Sequence, residues 1–405
     1  MWSDRLRRPA FFGVIVMFAY FAATVPMLLR GNIDPSIFIV AGDRFVTSAE
    51  TPSPIHVHPR SDGYDGQFYY RLALAPLSTA PVIYGITFDH PAWRMQRILL
   101  PLFARALALG HAAAVPAALF VTNLAALFAI GWLAMLLANA RSFRLAIPIA
   151  IVAWPGFFVA LTHDTTEILA AAFILGAIAA LHARRTAIAS ILLALATLTR
   201  ETAILLAAGL LAASLLRAVR SPRDARQWRH AACIAASILP FLIWRHIVAT
   251  LWHDTPQGHG ISHNVGLPLL GLAQIILANI SGHAIGLARH PSNLSARLTA
   301  LWSAAILIGF CIAAFRSAMS IFARNVRDLG LAAGWLLILC LMCLLTANGP
   351  WIEPAAWFRA FTECWLLGCI LLGIARVRLP PPAWLATAAL PLLLRNFELC
   401  WSQLR

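Results

Sequence analysis

The sequence predicts an all-α polytopic membrane protein, and its composition and its apolar runs carry this prediction. Hydrophobic residues make up 60% of the 405 positions and charged residues only 12%, whereas about a quarter of the residues of a soluble domain are charged. Apolar runs near the ~20 residues that cross a bilayer recur along the chain. Lipid offers backbone groups no partner, so these runs are expected to be helices. The clearest runs are Phe11–Leu29, Val115–Ala138, Ile168–Leu181, Ala231–Trp244, Leu298–Phe315, Leu329–Leu345 and Trp384–Leu394.

The net charge of +15 comes from arginine, because the sequence contains no lysine. The arginines cluster at the ends of apolar runs, as at Arg5, Arg7, Arg8, Arg141, Arg144, Arg184, Arg185, Arg217–Arg229, Arg316, Arg324, Arg327, Arg376 and Arg378. Such clusters mark cytoplasmic loops and contact anionic headgroups. The placement therefore favours membrane lipids, and not nucleic acid, as the partners of this charge.

The arginine clusters also predict the topology. The first apolar run follows three arginines and ends without a small-x-small cleavage site, which favours a retained signal anchor and a cytoplasmic N-terminus. We expect about eleven membrane segments. Two of these are short helices joined by a break at Thr199–Thr202, and Trp93–Leu109 is interpreted as one amphipathic helix on the outer interface.

The chain is predicted to form a single membrane domain over residues 1–405. It comprises a large first extracytoplasmic loop (31–114), central spans (115–250), a second extracytoplasmic loop (251–297) and C-terminal spans (298–405). Most of the 16 acidic residues fall in outer loops or at outer ends of spans. Charges at membrane depth usually face a protein interior or a water-filled cavity, so we expect a polar cavity in the outer half.

Two motifs of the first loop resemble those of a known protein family. They read Asp62-Gly-Tyr-Asp65-Gly-Gln-Phe-Tyr-Tyr70-Arg71 and Phe88-Asp89-His90-Pro91-Ala-Trp-Arg94-Met-Gln-Arg97-Ile-Leu-Leu-Pro101. This loop resembles the first outer loop of GT-C glycosyltransferases, such as protein O-mannosyltransferases and lipid A aminoarabinose transferases. In that loop an acid precedes aromatic residues, and a His/Tyr-Pro element opens a juxtamembrane helix. Tyr-Asp-Gly-Gln-Phe-Tyr and Gln-Arg-Ile-Leu also resemble a bacterial group implicated in cell-surface glycopolymer formation.

Two further motifs extend the resemblance over roughly the first 215 residues. Thr162-His-Asp164-Thr-Thr-Glu167 looks like the family's acid at the outer end of a later span. Leu198-Thr-Arg200-Glu-Thr-Ala203 resembles the family's Leu-Thr-Lys-Gly break, with arginine in place of lysine and no glycine. Four short motifs in the right order are more specific than any one of them. Because the residues of this break depart from the family's pattern, the resemblance does not identify the sugar donor.

The resemblance implies a GT-C-like helical bundle whose first outer loop carries juxtamembrane helices. It implies an inverting glycosyltransferase of a bacterial inner membrane that moves a hexosyl or pentosyl group from a polyprenyl-phosphate donor. The acceptor would be an extracytoplasmic glycan, lipid or protein, with the site facing the periplasm. Asp65 is expected to be the catalytic base. The expected substrate-binding residues are Asp62, Tyr64, Gln67, Tyr69, Tyr70, Asp89, His90, Arg94, Arg97, Asp164, Glu167, Arg200, Glu201 and Arg359. No cofactor is expected, and a divalent metal is not indicated.

Several of these residues also have a structural interpretation. Asp65 could form a turn with Gly66, and Asp89 could cap the helix that Pro91 begins. Arg200 and Glu201 could pair with each other or with neighbours, while arginine at membrane depth would suit a lipid phosphate. The His259-x-x-x-His263 spacing would suit a metal on a helix, but neighbouring glycines favour a loop. The seven cysteines are interpreted as small core residues.

Two other functions remain open from the sequence. Broken helices and charges at membrane depth are also typical of a transporter or flippase for an anionic or lipid-linked solute. We find no inverted repeat, and the charged motifs lie towards the outer face. A noncatalytic subunit of a polysaccharide assembly complex would carry the same hydropathy. Such a subunit should tolerate loss of the Asp65 carboxylate, whereas an enzyme should not.

Overall fold

Helices account for most of the structure, a computed structural model that describes residues 5–253, 264–286, 288, 294–324, 327–346, 350–352 and 354–377. The helices are α1 Pro9–Arg30, α2 Gly66–Leu74, α3 Pro91–Met95, α4 Leu99–Leu107, α5 Val115–Arg141, α6 Ala146–Val152, α7 Pro155–Thr162, α8 Glu167–His182, α9 Thr186–Thr199, α10 Ala203–Arg220, α11 Ala225–Ala236, α12 Leu239–Trp252, α13 Leu270–Ser281, α14 Leu294–Arg324, α15 Leu329–Leu344, α16 Pro354–Ala360 and α17 Thr362–Ile374. Short 3-10 turns form at Pro35–Ile39, Ser48–Glu50, Ala112–Ala114 and Pro350–Ile352. The predicted all-α fold is confirmed.

Five helical segments of the described chain are long and apolar enough to cross a membrane. They are Pro9–Arg30, Ala112–Arg141, Ala203–Arg220, Ala225–Trp252 and Leu294–Arg324. Shorter apolar helices pack among them, including α8, α9, α13, α15 and α17. The protein is therefore a multi-pass membrane protein. The number of spans and their orientation stay predictions.

Buried tryptophans fix the last helices against the middle of the chain. The indole Nε1 of Trp154, between α6 and α7, donates to the Phe358 carbonyl of α16 at 3.0 Å. Trp365 of α17 donates to the Ala150 carbonyl of α6 at 2.8 Å, and the rings of Trp154 and Trp365 stack with centroids 4.7 Å apart. Because a buried indole N–H needs a partner, these bonds set the position of α16 and α17.

The first loop is an ordered unit with two small sheets. Strands β1 (Ala41–Gly42) and β2 (Val57–His58) pair in parallel, and β3 (Val82–Ile83) and β4 (Ile86–Thr87) pair antiparallel. The fully buried Arg71 of α2 donates 3.0 and 2.5 Å hydrogen bonds to the carbonyls of Pro81 and Ile86. These bonds tie α2 to the β3–β4 hairpin. Burial lowers the pKa of Arg71 to about 10.

One expectation about the elements needs correction. The predicted single helix Trp93–Leu109 is instead two helices. Helix α3 ends at Met95, and helix α4 begins at Leu99. Pro101 explains the interruption, because a continuous helix would need a backbone N–H there to reach the Arg97 carbonyl. The second outer loop also contains a helix, α13. The break at Thr199–Thr202 is present between α9 and α10. The His259/His263 pair and the run Trp384–Leu394 lie outside the described residues.

Candidate active site

Asp65 lies at the N-terminal end of α2, where the first loop meets the ends of the membrane helices. Asp65 lies in a turn, as its Asp-Gly sequence suggested, but its side chain makes no capping hydrogen bond there. Gly66 allows the close approach, because a Cβ there would lie 2.6 Å from the carbonyl oxygens of His163 and Ile39. The glycine thus places Asp65 against the turn that precedes α8.

Two arginines hold the carboxylate of Asp65. Arg94 donates from Nη1 to Oδ1 at 2.5 Å, and Arg359 donates from Nη2 to Oδ2 at 2.8 Å. Burial raises the pKa of Asp65, but the charges of Arg94, Arg359 and Arg97 outweigh it and hold the pKa well below its usual range. The side chain stays 18% exposed. Asp65 is therefore an ionised carboxylate at neutral pH that water can still reach.

Arg94 bridges Asp65 to Asp89. It donates to Asp89 from Nε at 2.8 Å and from Nη2 at 2.5 Å, and its guanidinium lies 4.6 Å from the Phe68 ring centroid. The predicted capping role of Asp89 is wrong, since the cap position of α3 is His90. Pro91 does begin the helix, as expected. Asp89 instead orients Arg94 towards Asp65.

Arg359 links Asp65 to the start of α8. Its Nε and Nη2 donate to Glu167 Oε1 at 3.0 and 2.8 Å. The guanidinium lies 4.8 Å from the ring centroid of Tyr64, and that ring meets the His163 ring edge-on at 4.5 Å. Asp65, Glu167 and Tyr64 therefore enclose Arg359 on three sides.

The break between α9 and α10 supplies a second pair of charges. Arg200 lies 3.1 Å from Glu363 and 3.8 Å from Glu167, and it donates to the Arg359 carbonyl at 3.0 Å. Glu201 accepts from Arg97 Nε at 2.8 Å and from its Nη2 at 2.5 Å. Both break residues thus pair with neighbours and not with each other, because the break points their side chains at different helices.

The other predicted site residues have different environments. Tyr69 is fully buried and accepts a 3.4 Å hydrogen bond from Arg97. The side-chain amide of Gln67 is occupied by backbone groups, accepting from Gly42 at 3.0 Å and donating to Asp62 at 2.8 Å. Asp62 itself forms an exposed 2.6 Å pair with Arg44. These contacts give Gln67 a role in holding the loop, whereas the Asp62 side chain makes only this exposed pair among the described residues.

Among the described residues, Tyr70 and Asp164 make no hydrogen bond or ion pair with the arginine cluster. Tyr70 is fully buried, and His90 is exposed at the start of α3. Asp164 is fully buried beside His163, and its carboxyl oxygens have no hydrogen-bond partner among the described residues. Of the predicted site residues, the structure joins most of the acids and arginines into one cluster. The cluster contains Asp65, Asp89, Arg94, Arg97, Glu167, Arg200, Glu201 and Arg359.

A cavity of about 310 Å³ lies next to this cluster. Its polar wall includes Arg97, Arg200 and Glu201, while its other walls include the apolar side chains of Trp93, Ile204, Leu205, Phe241, Val265, Leu341, Met342 and Leu345. Asp65 does not line it.

Arg245 of α12 also lines this cavity, and sequence analysis missed it. Its side chain makes no hydrogen bond or ion pair with the residues that the structure describes. Glu363 and His163 were missed as site residues as well. An acid in an apolar segment was the available signal for Glu363, whereas nothing in the local sequence of Arg245 points to the cavity.

Charges of opposite sign balance at the site. The arginines are Arg94, Arg97, Arg200, Arg245 and Arg359, and the acids are Asp65, Asp89, Glu167, Glu201 and Glu363. Arg94, Arg97, Arg200 and Arg359 pair with these five acids, as the cost of isolated buried charges requires, whereas Arg245 makes no ion pair with the described residues. Within the described residues, no group of three or more His, Cys, Asp or Glu side chains could hold a metal ion.

Comparison with known proteins finds a likeness in structure. No protein-family model and no curated protein matches the sequence. The structure is similar to the crystal structure of ArnT from Cupriavidus metallidurans bound to undecaprenyl phosphate, at 15% sequence identity and a TM-score of 0.44. The similar region covers 89% of this chain and 62% of that one. The chemistry proposed for the site rests on its own residues.

Proposed function

We propose that this protein is an inverting membrane glycosyltransferase that moves a sugar from a polyprenyl-phosphate donor to a hydroxyl of an extracytoplasmic acceptor. The observation that carries the proposal is the carboxylate of Asp65, ionised and partly exposed between Arg94 and Arg359. A base for the acceptor and cations for a departing phosphate are the two groups that this reaction needs. Both occur here within one cluster.

The arginines that hold Asp65 can also stabilise the leaving group. As the acceptor oxygen attacks the anomeric carbon, its proton passes to Asp65 and the bond from that carbon to the phosphate oxygen breaks. Asp65 becomes neutral while the lipid phosphate gains one negative charge. Arg359 or Arg94 can then follow the charge from the carboxylate to the phosphate, so the balance of the site is kept. A single displacement of this kind inverts the anomeric carbon.

The cavity beside the cluster suits the donor. A polar wall of Arg97, Arg200 and Glu201 meets apolar walls, which matches a charged headgroup with a hydrocarbon tail. Arg245 offers a guanidinium that no described carboxylate occupies, and a guanidinium binds phosphate oxygens bidentately. Undecaprenyl phosphate, bound in the similar ArnT structure, is a lipid of this class. We place the site at the periplasmic face of a bacterial inner membrane, because the arginine clusters lie at the opposite ends of the helices.

The test uses purified protein in liposomes with a radiolabelled polyprenyl-phosphate sugar and a membrane extract as the source of acceptors. We expect release of polyprenyl phosphate together with label in an acceptor fraction, and loss of both with Asp65→Asn. Movement of the intact lipid between leaflets without sugar release would support the flippase alternative. Transfer that the Asp65 variant leaves unchanged would favour a noncatalytic subunit.

A further inference from the structure

A second pocket lies at the membrane end opposite Asp65. It has a volume of about 690 Å³ and is formed by the ends of α5, α8 and α10, the start of α11 and the turn before α15. His182, in its wall, is the last residue of α8, which begins at Glu167. At 1.5 Å per residue the two ends of α8 lie roughly 22 Å apart. The pocket is thus separate from the candidate active site.

The pocket is strongly basic. Its arginines are Arg141, Arg184, Arg217, Arg226, Arg229 and Arg327, and its acids are Asp224 and Asp328. Six cations against two anions leave a surplus of four. Both acids are already engaged, since Asp328 accepts from Arg141 at 2.9 Å and Asp224 caps α11 through a 2.9 Å bond from the Arg226 backbone N–H.

Three of these arginines have uncommitted guanidinium groups. The side chains of Arg184, Arg226 and Arg229 are exposed and make no hydrogen bond or ion pair with the described residues. Deeper in the pocket, Arg141 Nε is buried without a hydrogen-bond partner in the described chain. His230 and Thr186 add a polar pair on the wall, with Nδ1 and Oγ1 2.9 Å apart.

We propose that this pocket is a binding site for a phosphate-bearing anion. Several guanidinium groups that converge on one concavity match the oxygens of phosphate better than a single carboxylate. The volume lies within the range of small-molecule sites, so it can hold a headgroup or a pyrophosphate. Basic pockets between membrane helices hold phosphate headgroups in other proteins. The site does not depend on the proposed transferase activity.

The same chemistry could come from a lipid headgroup or from a soluble phosphate, and two probes separate these sources. One is sodium pyrophosphate, compared with sodium chloride at equal ionic strength. The other is phosphatidylglycerol in nanodiscs, compared with phosphatidylcholine. Binding to the folded protein raises its Tm. We expect at least one probe to raise the Tm of the full-length protein, and the probe that does so identifies the source.

Two sets of variants test whether the anion binds in this pocket. The triple variant Arg184→Gln, Arg226→Gln and Arg229→Gln removes the uncommitted charges and should weaken binding about tenfold or more. The control, Arg144→Gln, Arg220→Gln and Arg324→Gln, removes three exposed arginines outside the pocket and should bind as the native chain does. All six positions are exposed, so both variants should fold. No Tm shift with either probe, or equal loss in both triples, would overturn the proposal.

Discussion

Arg359 Nη2 donates to Asp65 Oδ2 at 2.8 Å although 294 residues separate the two in sequence. The same nitrogen donates to Glu167 Oε1 at 2.8 Å. Asp65 therefore shares its cation with a fully buried acid, and each of its two carboxylate oxygens accepts a hydrogen bond from an arginine. A ligand that draws Arg359 or Arg94 away would free an oxygen to accept a proton.

The first prediction concerns Asp65 itself. Asp65→Asn keeps the size of the side chain and removes its ability to accept a proton, so turnover should fall by roughly 10² to 10⁴. Asp62→Asn is the matched control, because its exposed pair with Arg44 contributes little. Sugar transfer in membranes measures both. An inactive Asp62 variant beside an active Asp65 variant would reverse the assignment within the loop.

The second prediction concerns pH. The arginines depress the pKa of Asp65 below its usual 3.8, so the carboxylate stays ionised above that pH. The pH profile of kcat/KM, which reports the free enzyme, should therefore show no acid limb from Asp65 between about pH 8 and about pH 5. The Arg94→Gln variant lacks one of the positive charges that lower the pKa of Asp65. Burial should then raise this pKa, and the acid limb should move to higher pH. An unmoved limb in that variant, with Arg44→Gln as the control, would show that Asp65 does not govern the profile.

The third prediction separates structure from chemistry at the helix break. Arg200→Gln leaves Glu363 unpaired in a nearly unexposed position, and breaking a buried pair costs about 3–5 kcal/mol. The variant should unfold at lower temperature in detergent. Adding Glu363→Gln should recover part of the loss, with a coupling of about 0.5–3 kcal/mol. Additive losses in the double variant would show that the pair is not energetically coupled.

The fourth prediction concerns the donor. Arg245→Gln should weaken binding of undecaprenyl phosphate about tenfold or more without lowering the Tm, because the side chain makes no contact that the described fold needs. Arg245→Lys should restore part of the affinity, since an ammonium lacks the bidentate fork. Arg60→Gln, at an exposed position of the first loop outside the cavity, serves as the control. Equal affinity in the native and Arg245→Gln proteins would remove Arg245 from the site.

The fifth prediction concerns orientation. In a chain whose seven native cysteines are serine, cysteine at Thr79 should react with an impermeant thiol reagent from outside the cell, and cysteine at Ser221 should not. Both positions are exposed, so access alone does not distinguish them. The arginine clusters near Ser221 place it inside. Labelling at Ser221 alone would invert the topology and move the site to the cytoplasm.

The sequence predicted the fold well because lipid restricts the options for an apolar chain. It also identified the acids and arginines of the first 215 residues or so, since short motifs mark them. The sequence could not predict which charged side chains pair with one another in the site. Glu363 reaches the site from α17, whose position depends on the packing of buried tryptophans, and Arg245 reaches it from α12, which is distant in sequence from the loop motifs. The sequence shows Pro101, whose missing backbone N–H favours a break. The prediction of one helix gave more weight to the apolar run around this proline.

The long separation between Asp65 and Arg359 also sets an order of events during synthesis. At ~5–20 residues per second, the 294 residues between them take roughly 15–60 s to emerge from the ribosome. Arg94 can neutralise Asp65 early, but Glu167 enters the bilayer before Arg359 exists. Arg200, at 3.8 Å from Glu167, is the cation that arrives first. Loss of Arg200 would therefore expose the nascent chain to failed membrane insertion or degradation, a defect that assays on the purified survivors would miss.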